Sequence, residues 1–360
     1  MSNKKLIILG IITVCMVSWA IVQAHFSNRT RSAMETSAHL IQGLDPSNID
    51  TISLGTSDKA FTLKRDGNQF VVVNKDNYPA ESAAINSFIT SCMDIKVEGL
   101  FTDNPLNHKD LGVAEEDANS VIKFLTSDSE LLVGIIIGKN KDQGSGTFVR
   151  VIPGDKVYVT LDRPWIKDDV MNYVNRNIIT VDRQEIKSVT VSSSSETYKL
   201  KSGDDTEGVV IEDLPPGKKQ KADDAKSVFT VLNNLRFEDV MKNPTADSGL
   251  TFNKEYICYL KDSTVYTLKI AKKDDKSYIT CSTEFTDKTP VTKEQGVVES
   301  EEELKKKEAK LLAREKAQKM SARHKNWIYE IAEFDAKKLT KQLSELLEEN
   351  KVETEKKIGF

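Results

Sequence analysis

The chain has 360 residues, of which 39% are apolar and 29% are charged, and its formal net charge is -4. This length accommodates two domains of ordinary size, and the mixture of apolar and charged residues excludes a chain that is disordered throughout. The slightly acidic balance also argues against a nucleic-acid-binding face, which needs an excess of basic residues to neutralise phosphates.

The N-terminal residues predict a membrane segment. Nineteen uncharged residues, Leu6 to Ala24, follow Lys4 and Lys5, and this is about the length that crosses a bilayer. We expect residues 1–26 to be an uncleaved transmembrane signal anchor, because the apolar run is longer than the ~7 to 15 residues of a signal-peptide core. A cleaved signal peptide ending near Ala24, a lipoprotein attached at Cys15 and a buried helix stay open as alternatives.

The location of the body follows from this anchor. Basic residues lie on both sides of the apolar stretch, including Arg29 and Arg31 after it, so the charge bias that sets orientation is weak. A single N-terminal anchor before a long body of mixed charge favours export of the body. We therefore expect a single-pass protein of the cytoplasmic (inner) membrane with its body on the extracytoplasmic, periplasmic side.

The cysteines and histidines predict neither a disulfide framework nor a metal site. Beyond Cys15 there are Cys92, Cys258 and Cys281, an odd number of thiols. Cys92 falls on the apolar face of a helical pattern, and free buried thiols are the favoured interpretation. A Cys258–Cys281 bridge stays open. The four histidines are isolated in sequence and lack metal-ligand spacing.

Two segments of the body repeat each other at an offset of 137 residues. Each begins with alternating apolar and polar residues, as half-buried strands do, and continues with a helical pattern, at residues 79–95 and 222–237. Strand-like runs then follow in both. The matched positions are Ile49 with Ile186, Ile52 with Val189, Phe61 with Tyr198 and Leu63 with Leu200.

An Asn-Pro pair recurs after each helical pattern, at Asn104-Pro105 and Asn243-Pro244. Because proline lacks the donor of a continuing helix and restricts the residue before it, we expect each pair to end a helix and return the chain to the sheet. The predicted fold class is α+β: an N-terminal transmembrane helix, then two tandem repeats, each a mainly antiparallel sheet with helices packed on one face. The predicted domains are a linker at 27–45, repeats at 46–178 and 179–350, and a tail at 351–360.

The second repeat carries a charged helical insertion at about residues 290–325 that the first repeat lacks. A thin apolar stripe among Glu, Lys and Arg is typical of a solvated helix or helical arm. A docking surface for a partner protein is the main alternative, and binding to a membrane surface is disfavoured by the mixed charge. The stripe consists of Leu304, Leu311, Leu312 and Met320.

No stretch predicts catalysis, so we expect no enzyme, no catalytic, cofactor-binding or metal-binding residue, and no cofactor. The glycine-rich run Gly138 to Thr147 joins two strand-like runs and lacks the Gly-Lys-Ser/Thr of a phosphate-binding loop. Ser192 to Ser195 have no His nearby in sequence for a hydrolase triad. Trp165 and Trp327 look like boundary or core residues, not a cluster of exposed aromatics.

Several stretches carry a resemblance to a known family: IDTISL, FTLKRDGNQFVVV, YPAESAAINSFI, DLGV, LLVGIIIGKNKDQGSGTFVRV, KVYVTLD and RNIITVDRQEIKSVTV. With the anchor, they resemble the bacterial domain-of-unknown-function family 4340 (DUF4340), most closely between Ile49 and Val191. The chain departs from the family at Phe70, where Trp is usual, and around Leu111-Gly112, which lack the preceding Tyr and following Pro.

The resemblance implies a membrane-anchored envelope protein that accompanies ABC-type transport systems related to gliding-motility exporters. We therefore expect a noncatalytic accessory or scaffold that binds a protein partner, an ABC transporter permease or ATPase subunit. The alternative is a binding module for envelope glycan or another extracellular ligand. An enzyme would require acidic or nucleophilic side chains that converge in one cleft.

Overall fold

The computed structural model describes residues 38–56, 59–203, 208–243, 249–292 and 300–349. The predicted anchor at 1–26, most of the predicted linker and the predicted tail at 351–360 lie outside these residues. The described chain is a mixed α+β protein with two large antiparallel sheets and four α-helices, which confirms the coarse fold class. None of the described helices is both long enough and apolar enough to span a membrane.

The first of two compact units ends at Val174. Its α-helix, α1, spans Ser82–Met93. Its strands are β1 (Ala38–His39), β2 (Thr51–Leu54), β3 (Phe61–Asp66), β4 (Gln69–Val72), β5 (Tyr78–Pro79), β6 (Lys96–Thr102), β7 (Ser120–Leu125), β8 (Leu131–Asn140), β9 (Thr147–Ile152) and β10 (Val157–Thr160). They form one antiparallel sheet in the order β1-β6-β10-β9-β8-β7-β2-β3-β4-β5.

The second unit begins at Asn175. Its helices are α2 (Ala222–Phe229), α3 (Glu301–His324) and α4 (Glu333–Leu339). Its strands are β11 (Asn177–Ile179), β12 (Ile186–Ser192), β13 (Thr197–Ser202), β14 (Val209–Ile211), β15 (Lys218–Gln220), β16 (Leu235–Lys242), β17 (Lys254–Leu260), β18 (Thr264–Lys273), β19 (Lys276–Phe285), β20 (Trp327–Ile331) and β21 (Leu347–Glu349). The large sheet has the order β11-β16-β20-β19-β18-β17-β12-β13-β14, and β15 pairs with β21.

The two large sheets have the same strand order. From β1 to β4 and from β6 to β10, each strand of the first sheet is matched by the strand numbered ten later in the second. The registers agree as well, because Ile52 pairs with Leu63 and Val189 pairs with Leu200. The residues aligned at an offset of 137 therefore occupy the same positions in two copies of one hairpin.

A helix covers one face of each sheet. In the first unit, α1 buries Ile85, Phe88, Ile89 and Cys92, which recur at helical spacing. The Phe88 ring lies 6.2 Å from the ring of Phe124 in β7. In the second unit, α2 buries Val228 and Phe229, and the Tyr256 hydroxyl of β17 donates a hydrogen bond to the Val228 carbonyl at 2.9 Å. Full burial of such a side chain stabilises the fold by about 1.5 to 3 kcal/mol.

The Asn-Pro pairs do not end the helices, contrary to the prediction. Helix α1 ends at Met93, and β6 intervenes before Asn104, whose side chain caps a 3-10 helix at Pro105–Asn107. Strand β16 likewise lies between α2 and Asn243, and the proline after Asn243 falls outside the described residues. Strand β6 could not be predicted from the sequence, because Val97 is its sole buried residue and the alternation typical of a strand is missing.

The units differ in what they add to the shared sheet. After β10, the first unit continues as an extended segment, residues 161–169, which we call the strap. After β20, the second unit continues with helix α4, and it also inserts α3 between β19 and β20. Helix α3 falls within the predicted insertion at about 290–325, of which residues 293–299 lie outside the described chain.

Candidate functional site

A cavity of about 480 Å³ opens at one end of the first sheet. The start of β7, the end of β8 and the start of β9 form one wall, and the strap forms the other. The polar and aromatic lining residues are Asn119, Ser120, Asn140 and Thr147 from the sheet and Arg163, Trp165 and Asp168 from the strap. We call this space the strap cavity.

Hydrogen bonds hold the strap at both ends. The Leu161 amide donates to the Lys96 carbonyl at 2.9 Å, and the Tyr173 hydroxyl donates to the Lys167 carbonyl at 2.9 Å. Asp169 then caps the 3-10 helix Val170–Tyr173 with its side chain. Between these anchor points, residues 163–166 line the strap cavity.

Trp165 is the most exposed large apolar residue of the strap, with 85% of its surface accessible. The prediction that it is a boundary or core residue is therefore wrong. The side chain borders the strap cavity and also a smaller cavity of about 90 Å³ beside Phe88 and Tyr173. No sequence signal distinguishes this tryptophan from a buried one, because exposure depends on the extended path of the strap. Trp327, at the start of β20, is half-buried.

The sheet wall of the strap cavity is neutral and polar. The Asn119 side-chain amide donates to the Gly138 carbonyl at 2.5 Å, and the Thr147 hydroxyl donates to Asn140 Oδ1 at 3.1 Å. Ser120 is 8% exposed, and its Oγ is buried without a hydrogen-bond partner among the described residues. A buried hydroxyl without a hydrogen-bond partner lowers the stability of the fold by about 1 to 3 kcal/mol. A ligand group that formed a hydrogen bond with the Ser120 hydroxyl would remove this cost.

The strap wall carries one charge of each sign. Arg163 and Asp168 line the strap cavity, and neither makes an ion pair with another residue in the described part of the chain. The cavity wall is therefore close to neutral in total, and its guanidinium and carboxylate groups remain available as a donor and an acceptor.

Helix α3 packs on the second sheet through small residues. Ser300 and Glu303 form a capping box at its start, and Ala313 and Ala317 are buried, where their small side chains permit close approach. The helix contacts β19, which extends from Lys276–Phe285 but pairs with β20 only at residues 277–279. The insertion is therefore a docked helix and not a free arm.

An ion pair ties α3 to the segment that follows β19. Lys310 Nζ lies 2.6 Å from Asp287 Oδ2, and this contact, with the backbone amide of Thr289, lowers the pKa of Asp287 to about 2. The carboxylate therefore stays ionised at every physiological pH, so the ion pair is kept across that range.

The opposite face of α3 carries the predicted leucines. Leu304, Leu311 and Leu312 are 52%, 51% and 58% exposed, and we call them the α3 leucine face. Met320, from the same predicted stripe, is half-buried instead. The helix thus turns its alanines to the sheet and its leucines to solvent.

The remaining candidate groups do not converge. Gly138 to Thr147 close the β8–β9 hairpin, and the Ser193 hydroxyl accepts a hydrogen bond from the Glu196 amide at 3.3 Å within the β12–β13 turn. His108 Nε2 lies 2.9 Å from the Asp155 carbonyl. Within the described ranges, no three His, Cys, Asp or Glu residues are placed to hold a metal ion.

The three described cysteines are separate buried thiols. Cys258 of β17 and Cys281 of β19 both face residues of β18, which lies between them. Two strand spacings separate them by about 10 Å, too far for a disulfide. Burial raises the pKa of Cys92, Cys258 and Cys281 to about 12, so each stays protonated and unreactive near neutral pH.

The comparisons with known proteins give one family. A family model described as Domain of unknown function (DUF4340) matches residues 71–254, just over half of the chain. The chain belongs to this family. In this DUF4340 protein, the matched segment runs from β4 to the start of β17, so it includes the strap cavity and ends before α3. No curated protein and no solved structure matches the chain.

Proposed function

We propose that this DUF4340 protein is a noncatalytic accessory or scaffold protein of an ABC-type transport or envelope system. Residues 1–26 would anchor it in the cytoplasmic membrane, since the apolar run Leu6 to Ala24 has about the length of a bilayer span. Both units would then face the extracytoplasmic side. The shared strand order of the two sheets supports a tandem duplication of one module.

The α3 leucine face carries this proposal. Its three leucines lie on one side of a helix whose other side is packed, and among the described residues this helix occurs in the second unit alone. Full burial of a leucine contributes about 1.5 to 3 kcal/mol, so a partner that covers the face gains binding free energy from all three. Apolar anchors on one helix face are the usual way in which a helix docks in the groove of a protein.

The charges around the α3 leucine face favour a protein over a lipid surface. Lys305, Glu308 and Glu315 are exposed on the same helix. An anionic membrane would attract the lysines and repel the glutamates, whereas a polar rim of both signs is ordinary at a protein interface. The proposed partner is a permease or ATPase subunit of the transport system.

Photo-crosslinking in intact cells tests this role. A photoreactive residue at position 308, between the leucines, should capture a transport permease from cells that make the full chain, and the ATPase on the other side of the membrane should be recovered only together with that permease. Leu304→Glu with Leu311→Glu should abolish capture without lowering the melting temperature, because both side chains are half-exposed. Leu214→Glu, at an exposed leucine of the same unit outside α3, is the matched control and should leave capture unchanged.

Two outcomes would contradict parts of this proposal. Capture at position 308 that survives the double substitution would show that the α3 leucine face does not hold the partner. Failure to recover either transport subunit, with the protein present in the membrane at normal abundance, would remove the transport assignment.

A second function, an extracytoplasmic ligand-binding module, is favoured by one observation. The exposed indole of Trp165 stands at a cavity whose volume, about 480 Å³, falls within the range of small-ligand sites, about 300 to 1,000 Å³. This function involves the first unit and is compatible with protein docking at α3.

A further inference from the structure

We propose that the strap cavity binds the end of a neutral saccharide chain, with a sugar ring stacked on Trp165. The inference rests on the second function proposed above and names its ligand class. It does not depend on the α3 leucine face.

The indole of Trp165 provides the apolar platform. A sugar ring has one face of C–H groups and an edge of hydroxyls, so it suits a flat aromatic surface that borders a polar space. Leaving such a large side chain 85% exposed forgoes its burial free energy, and a bound ring would recover part of it. The anchors at both ends of the strap hold the indole at the mouth of the cavity.

The sheet wall provides groups that match hydroxyls. A sugar hydroxyl both donates and accepts, as do the side chains of Ser120, Asn119 and Asn140 taken together. The Ser120 hydroxyl has no partner among the described residues, and a change of its staggered rotamer redirects it without moving the strand. A ligand hydroxyl at the wall would satisfy it.

The strap charges favour a neutral ligand. Arg163 can donate two parallel hydrogen bonds to a pair of vicinal hydroxyls, and the Asp168 carboxylate can accept hydrogen bonds from such a pair. An anionic ligand would gain from Arg163 but would be repelled by Asp168, and a cationic ligand would meet the reverse. A neutral polyhydroxylated ligand uses both groups.

Titration calorimetry on the full chain tests the proposal. The chain is purified in an amine-oxide detergent, because detergents with sugar headgroups would compete for the site. The probes are chitotriose, cellotriose and maltotriose, with inorganic phosphate as the anionic comparison. We expect saturable binding of at least one trisaccharide and no binding of phosphate.

The variants locate the binding. Trp165→Ala should weaken the affinity about tenfold or more, which corresponds to loss of one stacking contact. Ser120→Ala should weaken it several-fold while leaving the melting temperature of the unliganded protein unchanged or higher, since the hydroxyl lacks a partner there. Phe334→Ala removes an exposed aromatic that follows β20 in the second unit, and it should bind like the parent.

The results separate the site from the function. If a trisaccharide binds and neither Trp165→Ala nor Ser120→Ala weakens it, the strap cavity is the wrong site although ligand binding stands. If phosphate binds in place of the saccharides, the ligand class is wrong. If no probe binds to a folded protein, the saccharide ligand class is overturned, and the second function would then rest on the cavity alone.

Discussion

The two units contain separate sheets with the same strand order, and they differ in the elements that follow the last strand. After β10, the first unit runs an extended strap across the end of the sheet and leaves a polar cavity. After β20, the second unit forms helix α4, which buries Ala336 and Leu339. The second unit also packs α3 on β19. The strand order is common to both copies, so the features that could distinguish their roles lie in the added elements.

A single pair of positions shows how the copies adapted. By strand register, Ser120 at the start of β7 corresponds to Lys254 at the start of β17. The first copy thus has a small hydroxyl that lines a cavity, and the second has a long cation. The shared sheet accommodates either a serine or a lysine here, because both positions lie at the end of a strand.

The largest effect should come from charging the inner face of α3. Ala317→Glu places a carboxylate where the side chain is 2% exposed, and it should destabilise the second unit by about 3 to 5 kcal/mol, measured by urea denaturation. Ala309→Glu, at an exposed alanine of the same helix, is the control and should be nearly neutral. Equal effects of both variants would mean that α3 does not pack on the sheet in solution.

Acidification should weaken the second unit through His324. Burial, with a smaller effect of Arg323, lowers the pKa of His324 to about 4 from an ordinary 6.5. The unfolded chain therefore binds this proton at higher pH than the folded chain. Stability is complete above about pH 6.5 and decreases as the pH falls towards about 4, by at most about 3 kcal/mol.

Urea denaturation across that pH window, on the parent and on His324→Gln, measures this contribution. Nδ1 of His324 lies 2.7 Å from the Tyr329 hydroxyl, so the variant can retain a polar contact while losing the titration. Its free energy of unfolding should depend less on pH. An identical dependence in both proteins would assign the effect to other groups.

The two copies also differ at one position where the first has a glycine, and substitutions there should have a smaller effect on stability. Gly138 of β8 corresponds by register to Ala271 of β18, which is 1% exposed. A Cβ at position 138 would lie 2.4 Å from the Leu111 carbonyl, so Gly138→Ala should cost about 1 to 3 kcal/mol. Ala271→Gly should cost about 0.5 to 1 kcal/mol from the flexibility of glycine. Thermal unfolding of both variants checks that Gly138→Ala destabilises the protein more than Ala271→Gly does. A Gly138→Ala variant as stable as the parent would show that the loop at Leu111 moves aside.

A further small effect concerns the start of α3. The Ser300 hydroxyl accepts a hydrogen bond from the Glu303 amide at 3.3 Å. Ser300→Ala should therefore cost about 1 kcal/mol and speed hydrogen exchange in the first turn of the helix. Ser300→Asp keeps an acceptor and should restore the parent exchange rate. Unchanged exchange in Ser300→Ala would show that the packed alanines alone hold the helix start.

Much of the sheet could be predicted because alternation records burial. Leu54 and Phe61 are buried partners in the first hairpin, and Val191 and Tyr198 are their counterparts in the second. Helix α1 and the first part of the helical pattern at 222–237 were predicted for the same reason, since buried residues recur at helical spacing. Beyond Phe229 that pattern is wrong, because residues 231–234 form a 3-10 helix and β16 begins at Leu235. These signals are local, so they survive without knowledge of the fold.

The rest depended on tertiary contacts. In α3 the predicted apolar stripe consists largely of leucines, yet Ala313 and Ala317 form the packed face. Small side chains allow the helix to lie close to the sheet, and large ones do not. Trp165 was placed near the core, although the strap holds it in solvent. The family was predicted and is shown by the match, whereas the anchor and the transport partner stay predictions.

The incomplete pairing of β19 has one more consequence. Residues 280–285 have no strand beside them on the β20 side within the described chain, and an open edge of this kind recruits strands from other molecules. Because α3 packs against β19, it would shield this strand as well as display leucines. Removal of residues 299–325 should thus yield a chain that self-associates through β19, and aggregation would accompany any loss of partner binding.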